Sequence, residues 1–594
     1  MMLAEEIHID LERDNLFDDL GLTRLRESYM IQGEGSPQER FKFVCEKFGT
    51  DKEHAQRLYD YTSKHWLSLS TPILSYGRSK RGLPISCFLS YLDDSAEGLV
   101  ETLSEVNNLS MHGGGVGIHV QIRASDDISV GVMPHLKTYD ACSMAYRQGH
   151  TRRGSYATFL DISHPDIISF VEMRKPTGDQ NFRTLNLHHG VNISNEFMEI
   201  IENSMRDENY DDSWPLINPN NKEVVETVSA KSLWTKLLEM RTQTGEPYFI
   251  FIDNANDKLP SWLKDQGLKI NGSNLCTEIF LPTSKERTAV CCLSSLNIEY
   301  FDEWKSNRKF IPDVMELLDN VLDAFVKEAP PTISRAVVSA LNERSIGIGT
   351  LGLHAYFQKK DMALEGVMTK VTNKAIYQHI HKECKRGDKI LCDLRGPCPD
   401  AKKAGVERRF SHWTAIAPNA SSSLIMGNTS PSIEPYRANV FRQDTMSGAY
   451  IQRNKYLEAK LEELDMNNQK IWASITANDG SVQHLDLPQE VKDVFKTANE
   501  IDQLWLIDLA SDRQEYIDQG QSLNLFFRPD VNVKYLHACH FLAWKNGLKS
   551  LYYCRSDKLR KADRVGLQIK RKRIEDEIDL SAVADGDVCL ACEG

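Results

Sequence analysis

The chain has 594 residues, 41% of them hydrophobic and 26% charged, which excludes a disordered or fibrous protein and allows a deep core around an enclosed site. Its formal net charge of -13 argues against a general nucleic-acid binder. Thirteen cysteines, an odd number scattered over a long chain, do not make the dense framework of a small secreted domain, so reduced or redox-active thiols are expected.

Met1 to Leu20 is acidic and lacks the basic and apolar regions of a signal peptide, and no apolar run is long enough to span a bilayer. A cytoplasmic protein with no membrane segment is expected. Residues 1–70 read as a helical region, with Phe41, Val44, Phe48, Leu58 and Tyr61 at helical spacing. From 71 to 555, short apolar runs such as Val116 to Ile122 and Ala157 to Ile162 alternate with amphipathic stretches such as Leu136 to Met144. That alternation predicts one α/β body with no long linker. Residues 556–594 change character to a basic run, Lys558 to Arg573, an acidic patch and the terminal Cys589-Leu-Ala-Cys592-Glu-Gly594. This tail is expected to be mobile, and a CxxC on such an end suits thiol–disulfide exchange.

Within the body, Leu83-Pro-Ile-Ser86-Cys87-Phe-Leu89 lies upstream of Asn274-Leu-Cys276-Thr-Glu278, and Ala289-Val-Cys291-Cys292-Leu-Ser-Ser-Leu-Asn297 follows it. A strand-like alternation would put Asn274, Cys276 and Glu278 on one side of an extended backbone. An amide can hold a hydroxyl, a carboxylate can take its proton, and a thiol can give up a hydrogen atom or an electron pair. Buried core is the plain alternative for any one cysteine. A strand at Cys291-Cys292 would turn the two thiols to opposite faces.

Gly347-Ile-Gly349-Thr-Leu-Gly352 fits GxGxxG, but the polar Leu341-Asn-Glu-Arg344-Ser before it is no buried strand, and Gly113-Gly-Gly115-Val-Gly117 likewise lacks βαβ flanks. Ala417-Pro-Asn-Ala420-Ser421-Ser422-Ser423 reads either as a plain helix cap or as a loop whose N–H groups and hydroxyls cradle an anion. His537, Cys539 and His540, like His379, His381 and Cys384, have no second ligand pair at zinc spacing, so no metal is expected on this chain. Leu551-Tyr552-Tyr553 is open between ordinary packing and a functional pair.

Taken together, Ser70-Thr71-Pro72, the three cysteine segments, the tyrosine pair and the terminal CxxC resemble, in order and over almost the whole chain, the large catalytic subunit of class I ribonucleotide reductase. The resemblance implies a ten-stranded α/β barrel of two parallel five-stranded halves, with a cysteine-bearing finger loop at its centre. It implies radical reduction of ribonucleoside diphosphates to 2'-deoxyribonucleoside diphosphates. Cys276 would become a thiyl radical that abstracts the C3' hydrogen, Glu278 would take the 3'-hydroxyl proton, and Asn274 would hold the ribose hydroxyls.

Cys87 and Cys291 would end as a disulfide, with Cys291 rather than Cys292 satisfying the family spacing. Cys589 and Cys592 would reduce that disulfide and pass the oxidation to thioredoxin or glutaredoxin. Tyr553 and Tyr552 would carry the oxidising equivalent from a small subunit that holds the radical or metal cofactor. Thr71, Ser86, Ala420, Ser421 and Ser422 would bind the substrate diphosphate, with Ala420 standing where the family has an acidic residue. Asp94, Gln148 and Arg152 match the positions that bind and relay a deoxynucleoside triphosphate effector, and the stretch around Gln148 departs from the commoner glycine-rich form.

The helical stretches 95–111 and 134–147 resemble those that pair two copies into a homodimer, with an ordinary surface helix as the alternative. The seventy residues ahead of Thr71 leave no room for the N-terminal ATP-cone that many relatives carry, so no overall switch by ATP and dATP is expected. The tyrosine pair selects class I over an adenosylcobalamin-dependent reductase. The intact thiols and Glu278 speak against a non-catalytic nucleotide-binding relative, and a generic thiol–disulfide oxidoreductase would use only Cys589 and Cys592.

Overall fold

The computed structural model describes residues 6–79, 82–146, 154–445 and 448–556. Helices Asp19–Ser28, Pro37–Phe48 and Lys52–Ser63 open the chain, begun by Asp18, Ser36 and Asp51, whose side chains accept from Gly21 N, Gln38 N and His54 N. Such caps satisfy N–H groups that lack an intrahelical partner and contribute about 1 kcal/mol each. Phe41, Val44, Phe48, Leu58 and Tyr61, the positions with helical spacing, are all buried.

The body is a ring of two five-membered sets. Cys87–Tyr91, Gly115–His119, Ser155–Asp161, His188–Ile193 and Tyr248–Phe251 pair in parallel in that order. Ala289–Asn297 pairs in parallel with Ile346–Leu351, Ile348 bridges Thr414, Ile416 bridges Gln521, and Leu525–Phe527 pairs in parallel with Cys554–Ser556. The two sets meet antiparallel at both seams, Cys87–Tyr91 against Ala289–Asn297 and Ser550–Leu551 against Tyr248–Phe251. The barrel expected from the sequence is therefore present, with one refinement. The member at 414–416 meets each neighbour through a single bridge, and beside it the Asp518 carboxylate accepts from Trp413 N and Thr414 N.

Residues 265–288 run through the ring as the finger loop, and glycines make room for it. A Cβ on Gly117 would lie 2.0 Å from Ser273 O, and one on Gly520 would lie 2.4 Å from the Phe280 ring. Gly347 and Gly349, in the GxGxxG stretch, sit inside a buried strand rather than in a phosphate loop. Cβ atoms there would press on Leu293 and on Ala415 O. Gly117→Ala sets two backbones against each other, so it should lower the unfolding free energy by about 1–3 kcal/mol or more. Gly35→Ala, whose Cβ would come no nearer than 3.9 Å to Glu39, should be nearly neutral, and urea unfolding of the two variants side by side checks both expectations.

Within the body, the segment 440–495 gathers its own apolar side chains. Val440, Leu457, Leu461, Trp472, Ile475, Val482 and Phe495 form a small core of their own, apart from the main cluster. No helix among the described residues is long and apolar enough to cross a membrane.

Candidate active site

The finger loop does not take the extended form that alternation suggested. Thr277 has φ 67°, and the Asn274 side-chain oxygen accepts from both Glu278 N and Ile279 N at 3.1 Å. Among the described residues no ladder partner reaches these two N–H groups, so an Asx-type turn satisfies them instead. The turn still gathers the expected groups. Ser522 Oγ donates to Cys276 O at 2.6 Å and lies 3.2 Å from Glu278 Oε2, and Ser550 Oγ donates to Thr277 O at 2.8 Å. Asn274 Nδ2 is buried with no hydrogen bond among the described residues. A buried donor of this kind suits a ligand hydroxyl.

Cys276 shares one buried cluster with Cys87, Cys291 and Tyr552, whereas Cys292 belongs to the cluster on the outer side of the barrel wall. The strand register places Cys87 directly opposite Cys291. Residues so opposed in an antiparallel pair have Cα atoms about 4.5–5.5 Å apart, within the span a disulfide needs. Burial pushes the Cys291 thiol well above its ordinary pKa, opposed by the Gln519 amide that donates to its sulfur.

Tyr552 Oη donates to Cys276 Sγ at 3.6 Å. The Tyr552 and Tyr553 ring centroids are 4.3 Å apart, and Tyr248 lies 4.8 and 5.1 Å from them. Around the outer ring, Arg555 sits 4.2 Å above Tyr553, whose Oη is 3.2 Å from His188 Nδ1. His188 in turn is 2.7 Å from Glu246 Oε1. Burial works against ionising Glu246, but Arg174 and His188 outweigh it and hold that carboxyl well below the usual range. The aromatic chain thus runs from a cationic, half-buried edge to a fully buried thiol.

At the other side of the thiols, Ser86 immediately precedes Cys87, and Thr71 opens the short helix Thr71–Leu74 with its Oγ1 3.3 Å from Tyr29 Oη. Ala420, Ser421 and Ser422 form the first turn of helix Ala420–Ile425. Asn419 precedes that helix and donates to Ser295 Oγ at 3.0 Å and Thr350 O at 3.1 Å, fastening it to the second half-barrel. Helix Asp19–Ser28 packs on the same turn-and-a-half helix, so the N-terminal region borders both candidate phosphate-binding segments.

Asp94 lies beyond the opposite end of strand Cys87–Tyr91, paired with Arg123 Nε at 3.0 Å. Gln148, Arg152, Cys589 and Cys592 lie outside the described residues. The stretch 95–111 holds helix Ala96–Met111, and helix Val132–Ala145 overlaps the stretch 134–147 but starts two residues before it.

Two of the histidines passed over as ligands, His537 and His540, accept hydrogen bonds from other side chains. His537 Nδ1 accepts from Trp234 Nε1 at 3.0 Å, and His540 Nε2 accepts from Arg241 Nε at 3.0 Å. Among the described residues His54, Asp313 and Glu316 cluster closely enough to hold an ion, but Arg57 and Arg395 already balance the two carboxylates.

Sequence reasoning missed Gln519, Ser522, Ser550, Tyr248 and the His188–Glu246 pair. One signal was available. Gln519-Gly520-Gln521-Ser522 is a polar run around a glycine in an otherwise apolar body, and such a run in a buried strand marks close approach of another backbone.

The comparisons agree with this geometry. Residues 85–408 and 399–554 match the ribonucleotide reductase barrel domain, and residues 15–82 match the ribonucleotide reductase all-alpha domain. The chain is 50% identical to the ribonucleoside-diphosphate reductase large subunit of Invertebrate iridescent virus 3, covering 94% of this chain and 97% of that one. It is 35% identical to the large subunit of Invertebrate iridescent virus 6, covering 94% of each. Among solved structures, the class Id ribonucleotide reductase alpha subunit of Actinobacillus ureae superposes with a TM-score of 0.81 at 34% identity, covering 92% of this chain and 98% of that one. With the cysteine register, the thiol-to-tyrosine contact and these matches in agreement, the chain belongs to the family of ribonucleotide reductase large subunits.

Proposed function

We propose that this chain reduces ribonucleoside diphosphates to 2'-deoxyribonucleoside diphosphates in the cytoplasm, using a small subunit that supplies the oxidising equivalent. The observation that carries the reading is the direct contact of Tyr552 Oη with Cys276 Sγ, at the end of an aromatic stack and beside the opposed Cys87 and Cys291. Electron and proton can leave Cys276 together through Tyr552, and Tyr553 lies on the partner's side.

The thiyl sulfur then takes the C3' hydrogen, and Glu278 takes the 3'-hydroxyl proton while Asn274 Nδ2 holds a ribose hydroxyl. Loss of the 2'-hydroxyl as water draws two electrons and the protons from Cys87 and Cys291, which join as a disulfide. The C3' hydrogen is then returned and Cys276 is regenerated. Enclosure of the loop keeps water and stray donors from the radical.

Thr71, Ser86, Ala420, Ser421 and Ser422 cradle the diphosphate. Asp94, with Gln148 and Arg152, answers to a nucleoside triphosphate effector. Cys589 and Cys592 return reducing equivalents from thioredoxin or glutaredoxin, for which dithiothreitol substitutes in the test tube.

The test is deoxycytidine diphosphate formation from CDP by the purified chain with dithiothreitol and an effector, with and without the small subunit. We expect product only with the small subunit. Product with adenosylcobalamin alone would move the chain to the cobalamin-dependent class, and nucleotide binding without product under any condition would make it a regulatory relative.

A further inference from the structure

Gln519 is fully buried, and both ends of its amide are committed. Nε2 donates to Ile346 O at 3.2 Å and to Cys291 Sγ at 3.4 Å, while Oε1 accepts from Phe280 N at 3.3 Å. A carbonyl at one end and a backbone N–H at the other fix which atom is nitrogen, so the group facing the sulfur is a donor. Among the described residues no hydrogen bond reaches the Cys87 sulfur, although both cysteines are buried to the same degree.

Opening a disulfide by an incoming thiolate leaves the electron pair on the departing sulfur, and the step is faster when that sulfur carries the charge more easily. Burial makes a thiolate at Cys291 costly, and the Gln519 amide is the larger of two side-chain groups that work the other way, the Ser345 hydroxyl being the second.

We propose that Gln519 is a positioning residue that makes Cys291 the departing sulfur when the Cys87–Cys291 disulfide is reopened, so that the reducing dithiol attacks Cys87. The inference rests on reading Cys87 and Cys291 as the redox pair. One thiolate of the dithiol bonds to Cys87 Sγ, the Cys87–Cys291 bond breaks, and Cys291 leaves with the electron pair beneath the Gln519 N–H. Cys291 takes a proton from the dithiol's second thiol. The thiolate so formed displaces Cys87, which takes up the proton released when the dithiol first ionised. The dithiol ends as its disulfide, and the pair regains two electrons and two protons.

The experiment uses the chain with Cys589→Ser and Cys592→Ser, oxidised with diamide and exposed briefly to 2-mercaptoethanol, a monothiol that stalls at the mixed disulfide. After acid quenching, peptide mapping should find the adduct on Cys87 and a free Cys291. An adduct on Cys291 with Cys87 free overturns the proposal without any change at Gln519. In the same background Gln519→Met removes the donor at similar length, and Gln519→Glu keeps an oxygen for Phe280 N but turns no amide donor to the sulfur. Both should slow dithiothreitol opening of the disulfide by about 10- to 100-fold, the scale of a hydrogen bond to a charged group. Wild-type rates in both variants overturn the proposal. A chain that never forms the Cys87–Cys291 disulfide overturns the redox-pair reading and this inference with it.

Discussion

Cys276→Ser should form no deoxynucleotide above background in the CDP assay with small subunit and dithiothreitol, a loss of at least about 10⁴-fold, as for removal of a group that acts as a unit with its neighbours. Serine fits the space, and the backbone contacts to Ser522 and to the Asn274 turn involve no sulfur. Folding and nucleotide binding should therefore persist. What disappears is a bond weak enough to yield its hydrogen atom to an oxidised tyrosine, since an alcohol O–H is much stronger than a thiol S–H. The Cys87–Cys291 pair remains intact in this variant, so residual disulfide exchange with no reduction of CDP separates radical chemistry from generic oxidoreductase behaviour.

Tyr552→Phe should be nearly as severe, at least about 10³-fold, or roughly 4 kcal/mol of barrier. The ring centroid 4.3 Å from Tyr553 and the contact with Tyr248 are kept. Only the hydroxyl 3.6 Å from Cys276 Sγ is lost. Phenylalanine packs as well but cannot be oxidised by a tyrosyl neighbour or pass a proton to and from the thiol. Thermal stability within a degree or two of wild type, with product lost, is the expected pattern. Product at wild-type rate would mean that the oxidising equivalent reaches Cys276 by another route.

Much of this site was legible because its logic is local. Two adjacent cysteines on a strand face opposite ways, as the inner and outer clusters of Cys291 and Cys292 show, although the preference for Cys291 comes from the family spacing and not from the alternation. The N-terminal helices were legible for a similar reason, since their buried positions follow the helical repeat between capping residues. The finger loop was not, because alternation assumes a neighbouring strand, and at the centre of a ring the loop bonds to its own Asn274 side chain instead.

Gln519 and Ser522 escaped for a different reason. Their significance lies in contacts with residues more than two hundred positions away, and polar residues in a buried segment carry no periodic signature. The 440–495 core was hidden because its helices have the same amphipathic pattern as those that cover the barrel.

On this reading, one turnover consumes the Cys87 and Cys291 thiols under the control of Cys276. This is tested most directly in a pre-reduced chain carrying Cys589→Ser and Cys592→Ser, freed of dithiol and mixed with small subunit, effector and CDP. We expect about one dCDP per chain, a Cys87–Cys291 disulfide in equal amount by peptide mapping, and neither when Cys276→Ser is added. Product formed while Cys87 and Cys291 remain thiols, or formed in the absence of Cys276, would contradict the account.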